Sequence, residues 1–199
     1  WLKAFNLKTG NIETFNHSDC NFGYRDSYFK REGKNNYFIT EVCFRLSKNP
    51  IINVQYGDIQ AVLDNAKIKF PTIKDVSDAI ISIRQSKLPN PSELGNCGSF
   101  FKNPIILKSH FIHLLEKYPD IKSFPVSETL VKVPAGWLIE KAGWKGKRYG
   151  AVGVHEKQAL VLVNYGDGTG VEIKNLAQNI LQNILETFGI QLEIEVNVW

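Results

Sequence analysis

The chain has no methionine anywhere in its 199 residues, and it opens on Trp1 rather than on an initiator residue. It is therefore expected to be the C-terminal part of a longer polypeptide. Cysteine is scarce: Cys20, Cys43 and Cys97 are odd in number, far apart and without C-x-x-C spacing. That excludes a disulfide framework and a zinc knuckle, and it points to a reducing compartment, the cytoplasm. No apolar run approaches the length that spans a bilayer, and no basic-then-apolar leader opens the chain, so no membrane partner is expected. Basic residues are not clustered either. The net charge of +4 is spread along the sequence, without the stripe or module of a nucleic-acid binder. The scattered lysines suit either a solvated surface or a pocket for a pyrophosphate.

A hydrophobic content of 43% with 12% aromatics supplies a real core, and excludes disorder. Leu2 to Leu7 and Asn11 to Asn16 read as strands joined by a turn at Thr9-Gly10, and Tyr37 to Leu46 as a further strand. Thr72 and Asp75 have capping-box spacing ahead of a helix whose apolar face carries Val76, Ala79, Ile80 and Ile83. Pro89 and Pro91 force an extended loop after it, the expected domain boundary. Ser109 to Tyr118 and Ala135 to Ala142 read as helices, Ala159 to Asn164 as a buried strand. Ile173 to Phe188 reads as a helix stopped by Gly189. Leu192 to Val198 alternates apolar and polar residues, the pattern of a closing strand. No internal repeat is visible. The class is α+β with mixed sheets.

The stretch with the strongest chemical case runs Gly95-Asn96-Cys97-Gly98-Ser99-Phe100-Phe101-Lys102-Asn103-Pro104. Gly95 and Gly98 allow a sharp turn or a close approach to a flat ligand. Phe100 and Phe101 can shield that approach from water, strengthening any hydrogen bond or proton transfer from Ser99. On chemistry alone, the plainer reading is a turn with a capping serine followed by a core strand.

Further segments change that balance. Arg84-Gln85-Ser86-Lys87-Leu88-Pro89 followed by Gly95 to Pro104 resembles the signature of the UDP-N-acetylenolpyruvylglucosamine reductases, flavoenzymes of bacterial cell-wall synthesis. Asn21 to Lys30 resembles the family's tyrosine-arginine-aspartate-serine segment, Pro134 to Glu140 its alanine-glycine-tryptophan helix, Val154 to Asn164 the strand region that follows, and Leu192 to Val196 its closing glutamate strand. They occur in family order over almost the whole chain.

The resemblance implies a reductase using FAD and NADPH that converts UDP-N-acetylglucosamine enolpyruvate to UDP-N-acetylmuramate. It implies that residues 1–88 are the remainder of an FAD-binding mixed-sheet domain. Residues 89–189 would form an α/β substrate-binding domain, and 190–199 a closing strand. Ser99 is expected to protonate the reduced carbon and Glu195 to stand near the substrate carboxylate, its arginine partner lying before Trp1. Tyr24, Lys87 and Asn103 would hold the pyrophosphate and sugar; Phe124, Lys132, Lys145 and Gln158 would hold the nucleotide end. Phe124 departs from a family tyrosine, removing a hydroxyl but keeping a stacking ring. Arg84 is the flavin contact the resemblance leaves in this chain, and no metal site is expected. Without the resemblance, Tyr24 reads as a structural tyrosine, Lys87 as a dipole-complementing helix end, Glu195 as a solvated strand residue, and His155 as structural. The alternative to an enzyme is a non-catalytic fragment that binds UDP-sugars.

Overall fold

The computed structural model describes residues 1–55 and 57–198. The chain divides into two compact units, Trp1–Ile51 and Ile52–Trp199. The boundary expected after residue 88 lies inside the second.

The first unit is a three-stranded antiparallel sheet of β1 (Leu2–Asn6), β2 (Ile12–Phe15) and β3 (Tyr37–Val42), ordered β2-β1-β3. The β1–β2 hairpin closes through Asn6, whose Oδ1 accepts from the N–H groups of Lys8 and Thr9. Gly10 takes the positive φ of 73° that the turn requires. Alternation along β1 sends Leu2 and Ala4 inward, against Cys20, Phe15, Phe29 and Tyr37. The strand expected to reach Leu46 stops at Val42, which faces Leu2, the first residue of β1. The Cys43 N–H donates to the Trp1 carbonyl at 2.9 Å.

The second unit contains α1 (Ile59–Asn65), α2 (Ile73–Lys87), β4 (Gly95–Ser99), β5 (Ile105–Leu107), α3 (Lys108–Lys117), β6 (Phe124–Pro125), β7 (Leu130–Lys132), α4 (Ala135–Lys141), β8 (Arg148–Tyr149), β9 (Val152–Val154), β10 (Val161–Asn164) and α5 (Gly170–Phe188). Two antiparallel sheets result, ordered β4-β10-β9-β8 and β5-β7-β6. Helices and sheets are interleaved, so the fold class is α+β, but every ladder among the described residues is antiparallel rather than mixed.

The core gathers on α5, whose Leu176, Ala177, Ile180, Ile184 and Phe188 are buried at helical spacing. They meet Leu138 and Ile139 of α4, Val152 and Val154 of β9, and Leu162 of β10. Helix α5 begins three residues before the expected Ile173. Thr169 and Glu172 form a reciprocal capping box, a T-x-x-E signal masked by the poor helix former Gly170. Gly189 ends the helix in the left-handed region.

Helix α2 carries the expected Thr72–Asp75 box. Ala79 is buried against Ile59 and Leu63 of the short α1, with Val76 and Ile83 beside it. Ile80 stays 39% exposed, because it stands 100° around the helix from Ala79.

The closing strand does not form. Ile194 makes a single isolated bridge to Phe101, and Trp199 lies outside the described residues. A ladder needs a continuous partner, and Phe100–Lys102 is the whole length available before Asn103 and Pro104 turn away toward β5. Burial fades accordingly from Leu192 to an exposed Val198.

Two stability predictions follow from these contacts. Thr169→Ala should cost about 1 kcal/mol, read as a melting temperature lower by about 2–4 °C. The Glu172 carboxylate is held below its ordinary value by the Thr169 backbone N–H and hydroxyl. A depressed folded-state value contributes stability above the unfolded one that disappears in acid. Melting curves should therefore show the full penalty at neutral pH and a smaller one once Glu172 is protonated, because Thr169 Oγ1 still accepts from the Glu172 N–H. Gly153→Ala should cost more, about 1–3 kcal/mol. An added Cβ would stand 2.7 Å from the Lys147 carbonyl oxygen and 3.2 Å from the Arg148 Cα, and neither backbone can swing aside; denaturant titration measures it.

Candidate active site

Ser99 ends β4, opposite Val161 of β10. The register runs Val163 to Asn96 and then Val161 to Ser99, so β4 carries one extra residue. Such a bulge bends the strand and re-aims the side chains beyond it. Gly98 supplies the required φ of 72°, and nothing lies within 4 Å of where its Cβ would stand. Asn96 braces the bulge: its Nδ2 donates to the Leu94 carbonyl at 2.8 Å, and its Oδ1 accepts from the Gly98 N–H at 3.0 Å. The Ser99 side chain is half-buried. The sequence suggested two phenyl shields around it. Phe101 instead lies wholly in the core, and Phe100 is 3% exposed. The two rings anchor the loop from below.

Glu195 reaches the same loop from the far end of the chain. Its N–H donates to the Phe100 carbonyl at 2.8 Å, while the Lys102 N–H donates to the Glu193 carbonyl at 2.9 Å. Lys102 Nζ also meets Glu193 Oε2 at 2.7 Å. Strict alternation predicts equivalent environments for the two glutamates. Instead Glu193 is exposed and paired to Lys102, whereas Glu195 is half-buried.

A second group collects at the first turn of α4. Asn103 Oδ1 accepts from the Ala135 N–H at 2.9 Å. That bond fixes the amide orientation and leaves Nδ2 as its free donor. Gln158 Oε1 stands 3.3 Å from where a Gly136 Cβ would be, so glycine there makes the room it occupies. Lys132 pairs across the sheet with both Ile105 and Phe124, its Nζ 6.0 Å from the centroid of the half-exposed Phe124 ring. Lys145 is tied to Glu140 of α4 at 2.8 Å.

Lys87 is less free than the sequence suggested. It is ion-paired with Asp58, and the bond holds that carboxyl below its ordinary value. Tyr24 lies in the first unit, exposed, inside a tight Gly23–Asp26 bridge. Asp26 pairs with Arg31 at 3.1 Å.

Two hollows flank the bulge, and neither is lined by Ser99 or Glu195 themselves. One is a cleft of about 940 Å³ between the end of α2, the Pro89–Gly98 loop and the β9–β10 turn. Arg84, His155 and Lys157 line it. The second, about 590 Å³ and more apolar, lies between the start of α5 and Ile194–Val198. Cys97 borders both; desolvation pushes its thiol up, so it stays protonated at neutral pH. The part of His155 and Lys157 in the cleft was not legible in the sequence, where each was a single polar residue at a strand end.

Residues 90–199 match the family model for the UDP-N-acetylenolpyruvoylglucosamine reductase C-terminal domain. The chain is 58% identical over 196 residues to the UDP-N-acetylenolpyruvoylglucosamine reductase of Flavobacterium johnsoniae, covering 98% of this chain and 58% of that protein. It is 49% identical over 197 residues to the reductase of the same name from Amoebophilus asiaticus, covering 99% and 58%. It thus spans somewhat over half the length of the curated relatives it matches. In fold it is similar to the crystal structure of UDP-N-acetylenolpyruvylglucosamine reductase from Thermus caldophilus, with a TM-score of 0.58 at 20% identity, over 100% of this chain and 52% of that one. By its matched C-terminal domain and its close relatives, the chain belongs to the UDP-N-acetylenolpyruvoylglucosamine reductase family.

Proposed function

We propose that this chain is the substrate-facing part of an FAD- and NADPH-dependent enzyme that reduces UDP-N-acetylglucosamine enolpyruvate to UDP-N-acetylmuramate, a peptidoglycan precursor. The observation that carries the reading is the meeting of Ser99 and Glu195 on one backbone loop, from positions 96 residues apart. In this reading residues 1–88 complete a flavin domain, 89–189 bind the substrate, and 190–199 deliver the glutamate.

Bound flavin, reduced by NADPH, would supply a hydride to the terminal alkene carbon of the enolpyruvyl group. The electron pair then moves to the carbon beside the carboxylate. Ser99 Oγ–H gives that carbon its proton and recovers one from solvent. A serine hydroxyl is a weak acid, but an enolate is a strong base, and a pre-aimed donor needs no reorganisation. Glu195, brought to the same loop by the closing segment, orients the substrate carboxylate through a shared proton or a cation. The residues present fit the edge of a flat cofactor: Arg84 lines the neighbouring cleft, and the vacant side of Gly98 permits close approach.

The nucleotide end falls to the α4 group. Phe124 offers a ring face to the uracil; Lys132, Lys145, Asn103 Nδ2 and Gln158 offer donors to the sugar and diphosphate. Lys87 completes the set by exchanging Asp58 for phosphate, and Tyr24 keeps the pyrophosphate role that the family resemblance gives it.

Ser99→Ala in the flavin-loaded enzyme should leave flavin reduction by NADPH nearly intact and slow reoxidation by the enolpyruvyl substrate by several orders of magnitude. Stopped-flow absorbance follows both halves, and normal reoxidation would refute the role. Lys132→Ala should raise KM more than it lowers kcat, because it removes a contact made equally in the ground and transition states. Steady-state kinetics with an unchanged KM would mark Lys132 as a surface charge.

A further inference from the structure

The cleft beside the bulge has a charge pattern that the proton-transfer chemistry does not use. Arg84 enters it from the last turn of α2, and Lys157 and His155 from the turn after β9. Among the described residues neither Arg84 nor Lys157 has a carboxylate partner, whereas Lys87, Lys102, Lys141 and Lys145 are each ion-paired. The one acid on the lining, Glu93, is already engaged, accepting from Asn90 Nδ2 at 3.1 Å. Asn96, also on the lining, spends both ends of its amide on the loop. The cleft therefore carries two cations without a carboxylate partner against the single carboxylate of Glu93.

The histidine completes the pattern. His155 Nδ1 accepts from the Lys157 N–H at 3.4 Å, which leaves Nε2–H as the ring's donor. Desolvation, the largest influence on the ring, pushes the imidazole below its ordinary value. It thus donates as a neutral group at physiological pH.

We propose that this cleft seats a phosphate group, held by Arg84, Lys157 and the Nε2–H of His155. A guanidinium gives paired, directional donors and an ammonium a point charge, the combination that suits a tetrahedral dianion. The volume of about 940 Å³ exceeds what one phosphate needs and admits a ligand of nucleotide size. The competing explanation for Arg84 is that it only complements the negative end of the α2 dipole. That explanation gives no role to Lys157 or His155, which belong to a different element.

The seat shares Arg84 with the flavin contact of the proposed function, so it is tested on the 199-residue chain without substrate or flavin, where its failure leaves that reading untouched. Titration with inorganic pyrophosphate, at ionic strength held constant with chloride, is followed by NMR of the Arg84 Nε–H and His155 ring signals. Saturable shifts at both are expected. The Arg84→Gln, Lys157→Gln double variant should weaken binding at least tenfold by calorimetry, whereas Lys8→Ala, on an exposed turn of the first unit, should bind as the parent does. ADP serves as a second probe. Tighter binding than pyrophosphate, lost in the double variant, assigns the seat to a nucleotide's diphosphate; equal binding assigns it to the free anion. Shifts confined to Lys132 and Lys145, or a folded double variant that binds normally, would overturn the proposal. So would the absence of shifts in the parent chain at millimolar pyrophosphate.

Discussion

Four residues, Ser99 to Lys102, are gripped from two sides, and the candidate active site exists only while that grip holds. On one side Ser99 pairs with Val161, and Phe100 donates to the Leu160 carbonyl at 2.8 Å. On the other, Phe100 accepts from Glu195 and Lys102 donates to Glu193. Two segments remote in sequence are thus laced through one short loop, with two phenyl rings sunk into the core beneath it. Each lace closes a long loop, an entropic cost met only when the whole unit packs. Ser99 and Glu195 are therefore ordered together or not at all.

Charge plays a secondary part in stability and a larger one in placement. The pairs Lys102–Glu193, Lys145–Glu140 and Lys141–Asp120 are largely solvent-exposed, and such pairs contribute little. What they accomplish is orientation. Lys102 holds Glu193 at the surface and so helps set which glutamate of the closing segment faces the loop. Lys145 and Lys87 are parked on the carboxylates of Glu140 and Asp58. Arg84 and Lys157 are not, and this contrast distinguishes the cleft beside the bulge from the group around α4.

Much of the fold was legible because its signals are local. The Thr72–Asp75 box, the hairpin turn at Gly10 and the stop at Gly189 each depend on a few adjacent residues whose conformational preferences are strong. The apolar spacing of α5 predicted its buried face for the same reason. The errors have physical causes too. The closing segment formed only a bridge, because a strand's length is set by its partner, and no sequence pattern reports how far the partner runs. The short α1 and the two- and three-residue strands β5 to β9 carry too few residues to show a period at all.

The residue types of the site were likewise present in the sequence: a glycine-flanked serine, a late glutamate, lysines near aromatics. The sequence by itself determined the turn-forming glycines, the capped start of α2, the stop of α5, and the family to which the ordered motifs belong. Only the tertiary structure decided that Gly98 sits in a bulge, that Glu193 and Glu195 part company, and that Asn103 spends its carbonyl on α4. It also decided that His155 and Lys157 share a wall with Arg84. Each of those outcomes depends on which backbone lies opposite, and strand pairing across 60 to 95 residues of chain is set by the packing of the whole core.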